Sequence, residues 1–388
     1  MSKPLVLTCD IGTQSARALL VGPDGRIVDV VQSKYAEPYF SKEPGWAEQK
    51  PDFYFDRMCE CCRELCARSN ALLPDVIAMT ITVIRDTVVC LDENNNPLRD
   101  IILWLDKRSV DPNGAMPAKN MMVFKLAGME PTAKVVYAAS AGNWIMRHEP
   151  EIWAKTAKYV MLPTYLNYKL TGNLIDSASN QIGHIPFDYK NRRWMKPGSL
   201  TRCFCDVPNE KLCDLVPSGT VIGTVTEQVS ALTGIPAGLP LISTGSDKGC
   251  ETLGLAVVDS DKASISLGTT ATIQFSTTQY VEPQQFLPAY PGVLNGHYNP
   301  EIEIYRGLWL LSWFVKEFGT ADAIDAKEMG MAPEALLDQR IRDLPAGSDG
   351  LLLQPYWTAG ILHPDSLGAV IGFSDYHTRY HFYRAIIE

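Results

Sequence analysis

The sequence predicts an α/β protein built of two related domains with a cleft between them. Two observations carry that expectation. A strand–turn–strand unit occurs twice, at Leu5–Val21 and again at Ala263–Phe275, and each turns at an apolar-Gly-Thr step, Ile11-Gly12-Thr13 and Leu267-Gly268-Thr269. After each unit, strand-like and helix-like segments alternate, the order that builds helix-covered sheets. The length of 388 residues leaves room for two or three domains at ~100–200 residues each.

The first hundred residues read β-β-β-α-β-β. Strands are expected near Leu5–Cys9, Ala16–Val21 and Ile27–Val31, the last two joined by a hairpin turn at Pro23-Asp-Gly25. A loop with Pro44-Gly-Trp-Ala-Glu-Gln49 leads into a helix over 52–68, and strands follow at Val76–Thr82, Thr87–Leu91 and Ile101–Trp104. From Pro117 to Leu170 the pattern is mostly helical, whereas Asn173–Val221 is rich in loops. A buried strand, Leu239–Thr244, brings the chain to Gly245-Ser-Asp247. The second half reads as the Gly-Thr hairpin, short strands around Gly292–Leu294 and Ile302–Tyr305, a helix at Leu308–Phe318, a strand at Gly350–Leu353 and a helix at His377–Glu388. That last helix carries no stop glycine, and its apolar positions Phe382, Ala385 and Ile386 are expected to pack on the second domain.

Cys59, Cys61, Cys62 and Cys66 crowd one helical segment, where Met58, Cys62, Leu65 and Cys66 share a face. Small hydrophobes packing a helix on a sheet explain them better than zinc, which needs a second cysteine pair on another element. The net charge of -9 argues against a nucleic-acid binder. No apolar run is long enough for a bilayer. Met1-Ser-Lys-Pro4 enters a strand-like segment directly, without a signal-peptide pattern, so reduced thiols and a cytoplasmic location are expected.

The two turns suit phosphate. Glycine permits positive φ and lets a ligand approach the backbone N–H groups without a Cβ in the way. The hydroxyls of Thr13, Ser15, Thr269 and Thr270 add donors. Two such turns facing each other would form a two-sided clamp, although an isolated Gly-Thr turn is more often an ordinary β-turn.

Read in order, further segments resemble the FGGY carbohydrate kinases, which phosphorylate sugars and polyols. Asp10-Ile-Gly-Thr-Gln-Ser15 and Gly268-Thr-Thr270 resemble the family's two phosphate motifs, and Gly45-Trp-Ala-Glu-Gln49 its Trp-x-Glu-Gln loop. Arg85-Asp86 falls where glycerol kinases have Arg-Glu and xylulokinases Met-His. Ile102-Leu-Trp-Leu-Asp-Lys-Arg108 is similar to the Trp-x-Asp-x-Arg segment. Glu149-Pro-Glu-Ile-Trp153 and Tyr165–Gly172 are similar to the Pro-Glu-x-Trp and Leu-Thr-Gly landmarks, and Gly245-Ser-Asp247 to the motif of the catalytic aspartate.

The resemblance implies two ribonuclease-H-like domains of the actin, hexokinase and heat-shock-chaperone type around an interdomain cleft. Residues 1–250 would form the sugar-binding domain. Residues 251–388 would form a second, incomplete domain, because family members are longer and carry an adenosine loop not found here. It implies ATP-dependent phosphorylation of a small sugar or polyol, with Asp247 as general base and acceptor ligand. Mg-ATP would be held by Gly12, Thr13, Gln14, Ser15, Gly268, Thr269 and Thr270, with Asp10 on Mg²⁺. Glu48, Arg85, Asp86 and Trp104 are the candidates for sugar contacts, and Trp46 for closing over the ring.

Departures from the family pattern bear on the substrate. Ala141-Gly-Asn-Trp144 lacks the family's lysine, Thr164 replaces an aspartate, and Ala359-Gly-Ile-Leu-His-Pro364 replaces a Gly-Glu-Arg-x-Pro loop. A non-catalytic sugar- or nucleotide-binding pseudokinase, or an inactive truncated fragment, stays open as an alternative, and so does a homodimer. Plainer roles compete at single residues. Asp247 fits an N-cap, Asp10 a turn aspartate, Arg17 an outward charge, Asp106–Arg108 an ion pair, and Trp46 and Trp104 core packing. His184 and His363 read as isolated loop histidines.

Overall fold

The computed structural model describes residues 3–268, 270–284, 287–358 and 366–388. One compact unit takes in residues 1–262 and 276–300; the other takes in 263–275 and 301–388.

The first unit is organised by a six-stranded sheet. Its strands in chain order are β1 (Leu5–Ile11), β2 (Ser15–Val21), β3 (Ile27–Lys34), β4 (Val76–Val83), β5 (Val221–Thr224) and β6 (Pro240–Ile242). They lie side by side as β5–β6–β4–β1–β2–β3. The central three, β6, β4 and β1, run parallel. In β1 the alternation is strict: Leu5, Leu7, Cys9 and Ile11 are buried, which fixes the register because a one-residue slip would turn all four outward.

Helix α1 (Pro51–Arg68) covers this sheet with Tyr54, Phe55, Met58, Cys59, Cys61, Cys62, Leu65 and Cys66. Proline at its first turn costs no hydrogen bond, since that N–H has no partner inside the helix. The cysteines therefore pack, as expected. All ten are free thiols, and Cys9 Sγ lies 3.4 Å from Cys62 Sγ in the β1–α1 interface. A smaller sheet joins Glu48–Gln49, Ile101–Ile102, Val88–Leu91 and Lys158–Met161. The last of these strands interrupts a stretch expected to be mostly helical.

The segment 276–300 returns to the first unit, a return that a partition at residue 250 does not contain. Polar bonds hold it there. Ser179 Oγ donates to the Gly292 carbonyl at 2.7 Å, Asn295 Nδ2 to the Ser218 carbonyl at 2.8 Å, and Arg192 Nη2 to the His297 carbonyl at 3.0 Å. The strand expected at Gly292–Leu294 is instead a turn between Tyr290–Pro291 and Tyr298–Asn299, closed by Gly292 N–H to His297 C=O at 2.9 Å.

The second unit contains a three-stranded antiparallel sheet, β7 (Ser264–Leu267), β8 (Ala271–Gln274) and β9 (Glu301–Ile304). Its aromatic core gathers Phe314, Leu337, Ile341, Phe382 and Tyr383. The last helix, Arg379–Ile387, starts at a capping box in which Thr378 and His381 exchange side-chain and backbone bonds. Phe382 and Ala385 are buried and Ile386 packs against the core, as its pattern predicted. The helices Thr320–Glu328 and Pro333–Arg340 went unread, because their polar-rich sequences carry weak periodicity.

Candidate active site

The ends of the three central parallel strands bring distant sequence segments together. β1 ends at Ile11 and runs into Gly12–Ser15; β4 ends at Val83 and runs into Arg85-Asp86; β6 ends at Ile242 and runs into Gly245–Asp247. Because the strands are parallel neighbours, all three loops emerge at the same sheet edge, where open α/β sheets bind ligands. Cross-bonds tie the loops. Ile84 N–H donates to the Ile11 carbonyl at 3.1 Å, Thr82 Oγ1 to the Gly245 carbonyl at 3.1 Å, and Thr244 Oγ1 to the Ile81 carbonyl. Gly245 has no room for a side chain: a Cβ there would sit 2.6 Å from Val293 Cγ2 and 3.1 Å from Ser179 Cβ.

Asp247 opens helix α2 (Asp247–Gly254), yet it is not the cap. Ser246 is, its Oγ accepting from Gly249 N–H at 3.3 Å. The cap reading of Asp247 is thereby overturned, and its carboxylate is left with one local bond, from Lys248 N–H at 2.8 Å. Burial pushes the Asp247 pKa above the ordinary carboxylate value, against the opposing pull of Arg85 and Lys248. One turn on, burial raises the Cys250 thiol, and the negative charges of Asp247 and Asp10 add to the effect, so both acids lie around it.

The first turn is closed by Gly12 N–H to Ser15 C=O at 3.0 Å. Neither Gly12 nor Gly268 adopts positive φ, which corrects one of the two reasons given for glycine at these steps. The other reason holds: among the described residues beyond the adjacent ones, a Cβ at Gly12 would come near Ser15 O at 3.3 Å, and one at Gly268 near Thr270 O at 3.7 Å. Gln14 is exposed and Ser15 buried. Thr13 Oγ1 accepts from Trp104 Nε1 at 3.0 Å, which ties the Trp104 loop to the turn. Trp104 is 37% exposed, so core packing does not explain it. Asp10 Oδ2 accepts from Arg17 Nη1 at 2.6 Å across the β1–β2 pair, so Arg17 is more than an outward charge.

Glu48 sits in an ionic cluster. Its side chain is 1% exposed and its carboxylate meets Lys42 at 2.9 Å, Arg99 at 2.8 Å and Arg108 at 3.0 Å. Arg108 also makes a two-pronged pair with Asp106 and lies between Trp46 and Trp144, 3.8 and 4.6 Å from their ring centres. Glu48 and the half-buried Trp46 thus share one ionic and aromatic knot around Arg108. The ion-pair reading of Asp106–Arg108 holds.

At the end of β4, Asp86 sits in the left-handed region, φ 49°. His184, read as an isolated loop residue, is its partner. His184 N–H donates to Asp86 Oδ1 at 2.9 Å and Nδ1 bonds Oδ2 at 2.8 Å. Tyr189 OH accepts from Gly183 N–H at 3.2 Å and donates to the Gly183 carbonyl at 3.0 Å, bracing the loop. Burial alone would lower the His184 pKa and raise that of Asp86. Their mutual attraction outweighs it, holding His184 above its ordinary value and Asp86 below. The Arg85 guanidinium lies over the Tyr290 ring at 5.3 Å. Nothing in the local sequence marked His184; only the fold sets it 98 residues away against Asp86.

In the second unit, Gly268 N–H bonds the Thr270 carbonyl at 2.9 Å next to the paired Leu267 and Ala271. Thr269, His363 and the 359–364 loop lie outside the described residues. Among the described residues no group of three or more His, Cys, Asp or Glu forms a metal cage. No helix of the described residues is long and apolar enough to cross a membrane.

Comparison with known proteins gives a consistent picture. The profile of the N-terminal domain of the FGGY family of carbohydrate kinases matches residues 5–254. The chain is 25% identical over 389 residues to the uncharacterized sugar kinase YgcE of Escherichia coli K12, covering 100% of this chain and 71% of that protein. It is 26% identical to a xylulose kinase of Bacillus subtilis, over 99% of this chain and 74% of that one. Among solved structures, the xylulose kinase of Rhodospirillum rubrum superposes with a TM-score of 0.79 at 25% identity, over 98% of this chain and 75% of the other. The fold is that of these kinases, a mixed α/β architecture of two ribonuclease-H-like domains.

Proposed function

Because the chain belongs to the FGGY family of carbohydrate kinases, we propose that it transfers the γ-phosphoryl group of ATP to a hydroxyl of a small sugar or polyol, with Asp247 as the base. The observation that carries this reading is the meeting of Asp10, Arg85-Asp86 and Asp247 at one edge of three parallel strands. Phosphoryl transfer asks for positioning and charge neutralisation more than covalent chemistry, and these residue types supply both.

Asp247 takes the proton of the attacking hydroxyl. Its raised pKa makes it a stronger base than a solvated aspartate, and its carboxylate is not consumed by helix capping. Arg85 and Asp86 orient the acceptor, the carboxylate accepting from hydroxyls and the guanidinium donating to them. Trp104, tied to Thr13, offers a ring face to the apolar side of the acceptor. The backbone N–H groups of Thr13 and Gln14, with the Thr13 hydroxyl, suit phosphate oxygens, and the second Gly-Thr step offers the same chemistry.

Asp10 fits a Mg²⁺ site of the usual kind, in which one or two carboxylates and the substrate phosphates share the ion with water. Arg17 occupies only Oδ2 and leaves Oδ1 to face the ion or its waters. When bound, Mg²⁺ would neutralise phosphate charge. Glu48 is assigned no part in acceptor binding.

The test is a coupled ADP-release screen over pentuloses, hexuloses, aldonates and short polyols. One acceptor class should stimulate turnover, and Asp247→Asn should lower kcat on it by a factor on the order of 10²–10⁴, the usual contribution of a positioned base. Acceptor binding without turnover would support a non-catalytic binding protein instead.

A further inference from the structure

The residue that the sequence left unassigned, His184, is built into the site with more care than a loop histidine needs. Two bonds from one residue, backbone N–H and ring Nδ1, take one position on each oxygen of Asp86 at 2.9 and 2.8 Å. A carboxylate has about four lone-pair positions, so roughly two stay open for a ligand. The neighbouring Gly183 has φ +147°, and a Cβ there would overlap the Asp86 carboxylate, 2.8 Å from Cγ and 2.9 Å from Cα. Tyr189 then clamps Gly183 through both of its backbone groups. Asp86 itself holds a φ of 49°, in the left-handed region that few non-glycine residues occupy. Strained backbone that the surroundings over-determine is a mark of functional positions.

We propose that His184 is a positioning residue for the acceptor: it fixes the Asp86 carboxylate at the end of β4, and the charge on its ring tunes how firmly that carboxylate holds the acceptor's hydroxyls. The inference rests on the phosphotransferase reading of this edge, and it adds a residue and a pH dependence that the reading does not contain.

The direction of the pH effect follows from the ring's bonding. Asp86 accepts from Nδ1–H whether the ring is charged or neutral, so the proton that leaves at higher pH is the one on Nε2. The geometry survives while the charge beside Asp86 disappears. Asp86 is the charged group that faces His184. Arg85 is the next cation, adjacent in sequence and set between Asp86 and Asp247 in its electrostatic influence. Tyr159, Tyr189 and Cys205 also sense Asp86, and burial raises all three above their ordinary values, so they stay neutral across the range in question. At 28% and 29% side-chain exposure, His184 and Asp86 remain open to a small molecule.

The experiment has two arms. In the first, histidine ring resonances are followed by NMR against pH in the full chain and in Asp86→Asn. His184 is expected to titrate above the ordinary value of about 6.5 and to fall back toward it in the variant. In the second, acceptor KM and kcat are measured against pH for wild type, His184→Ala and His184→Asn. Wild-type KM should rise several-fold as pH passes the NMR value. His184→Ala should raise KM about tenfold, which is ~1.4 kcal/mol, change kcat far less, and lose the pH step. His184→Asn, whose amide N–H can replace Nδ1–H without the charge, should hold the KM of high-pH wild type at every pH, below that of His184→Ala and without the step.

A merely structural histidine would give no pH step in KM and no separation between the two variants, and that result overturns the proposal. So does a His184 that titrates at the same pH with and without Asp86. If no acceptor in the screen is turned over, equilibrium acceptor affinity replaces KM in the same comparison. The phosphotransfer reading would then fail while the pairing stood. A chain that shows the Asp86-dependent titration but whose acceptor affinity ignores His184 overturns the positioning role alone.

Discussion

Replacing Gly183 by alanine is the sharpest perturbation the structure offers. The backbone there has φ +147°, and the added Cβ would lie 2.8 Å from Asp86 Cγ and 2.9 Å from its Cα, closer still to Oδ1. Rotating the Asp86 side chain relieves the carboxylate contacts but not the one to Cα, so the backbone must move as well. Holding a non-glycine residue in such a conformation costs of order 1–3 kcal/mol. Displacing the carboxylate also gives up the bonds from His184, and a hydrogen bond to a charged group is worth about 1.5–3 kcal/mol. A loss of about 3–4 kcal/mol is expected, measured by urea unfolding and following from those two contributions with partial relaxation. Acceptor KM should rise by tenfold or more, since each ~1.4 kcal/mol lost from binding is a factor of ten. The KM for ATP should change little, because the Gly12–Ser15 turn makes no use of Gly183. A variant that is destabilised as expected but keeps wild-type acceptor KM would refute the placement of Asp86 at the acceptor. One that keeps both stability and KM would refute the geometry itself.

Further outcomes concern Asp247, Glu48 and the His184–Asp86 pair. A folded pKa above the unfolded value means that Asp247 opposes folding at neutral pH. Asp247→Asn should therefore be more stable than wild type above the folded pKa, and the gain should vanish as pH falls through the unfolded value near 3.8, as read by denaturant unfolding at several pH values. On the same grounds, kcat/KM of the wild type should fall on acidification at a pH above the ordinary aspartate range. Glu48→Gln removes the anion from a cluster of Lys42, Arg99 and Arg108 at 1% exposure and should cost about 3–5 kcal/mol in unfolding free energy. The folded fraction should retain the wild-type acceptor KM, whereas a selective rise in KM without destabilisation would restore Glu48 as a sugar ligand. For His184, a raised folded pKa places its stabilising contribution below the unfolded value, with loss as pH climbs through the folded one. The stability difference between wild type and His184→Ala should fade over that window.

What could be read from the sequence was local. Strict alternation over Leu5–Ile11 specified a strand and its inward face. The helical spacing of Met58, Cys62, Leu65 and Cys66 specified a packing face and set aside zinc. The Gly-Thr turns, the Trp-x-Glu-Gln and Trp-x-Asp-x-Arg segments and Gly245-Ser-Asp247 pointed to the kinase family, because each is a short run whose chemistry is fixed by neighbours in the chain. The limits were local too. Glycine at residues 12 and 268 was read as allowing positive φ, whereas neither adopts it.

Partnership across the chain was decided by tertiary structure alone. Glu48 and Asp86 are both loop-edge carboxylates in sequence. One is enclosed by Lys42, Arg99 and Arg108, which neutralise it beneath the surface, while the other stands at an open strand end beside a histidine 98 positions away. Ser246 takes the capping role that Asp247 could fill equally well by residue type, and so leaves the Asp247 carboxylate out of the cap. Sequence patterns encode which face of an element is buried, since that depends on spacing of three or four residues at most. Which charges meet depends on the order of parallel strands β6, β4 and β1, and that order is settled only when the sheet assembles.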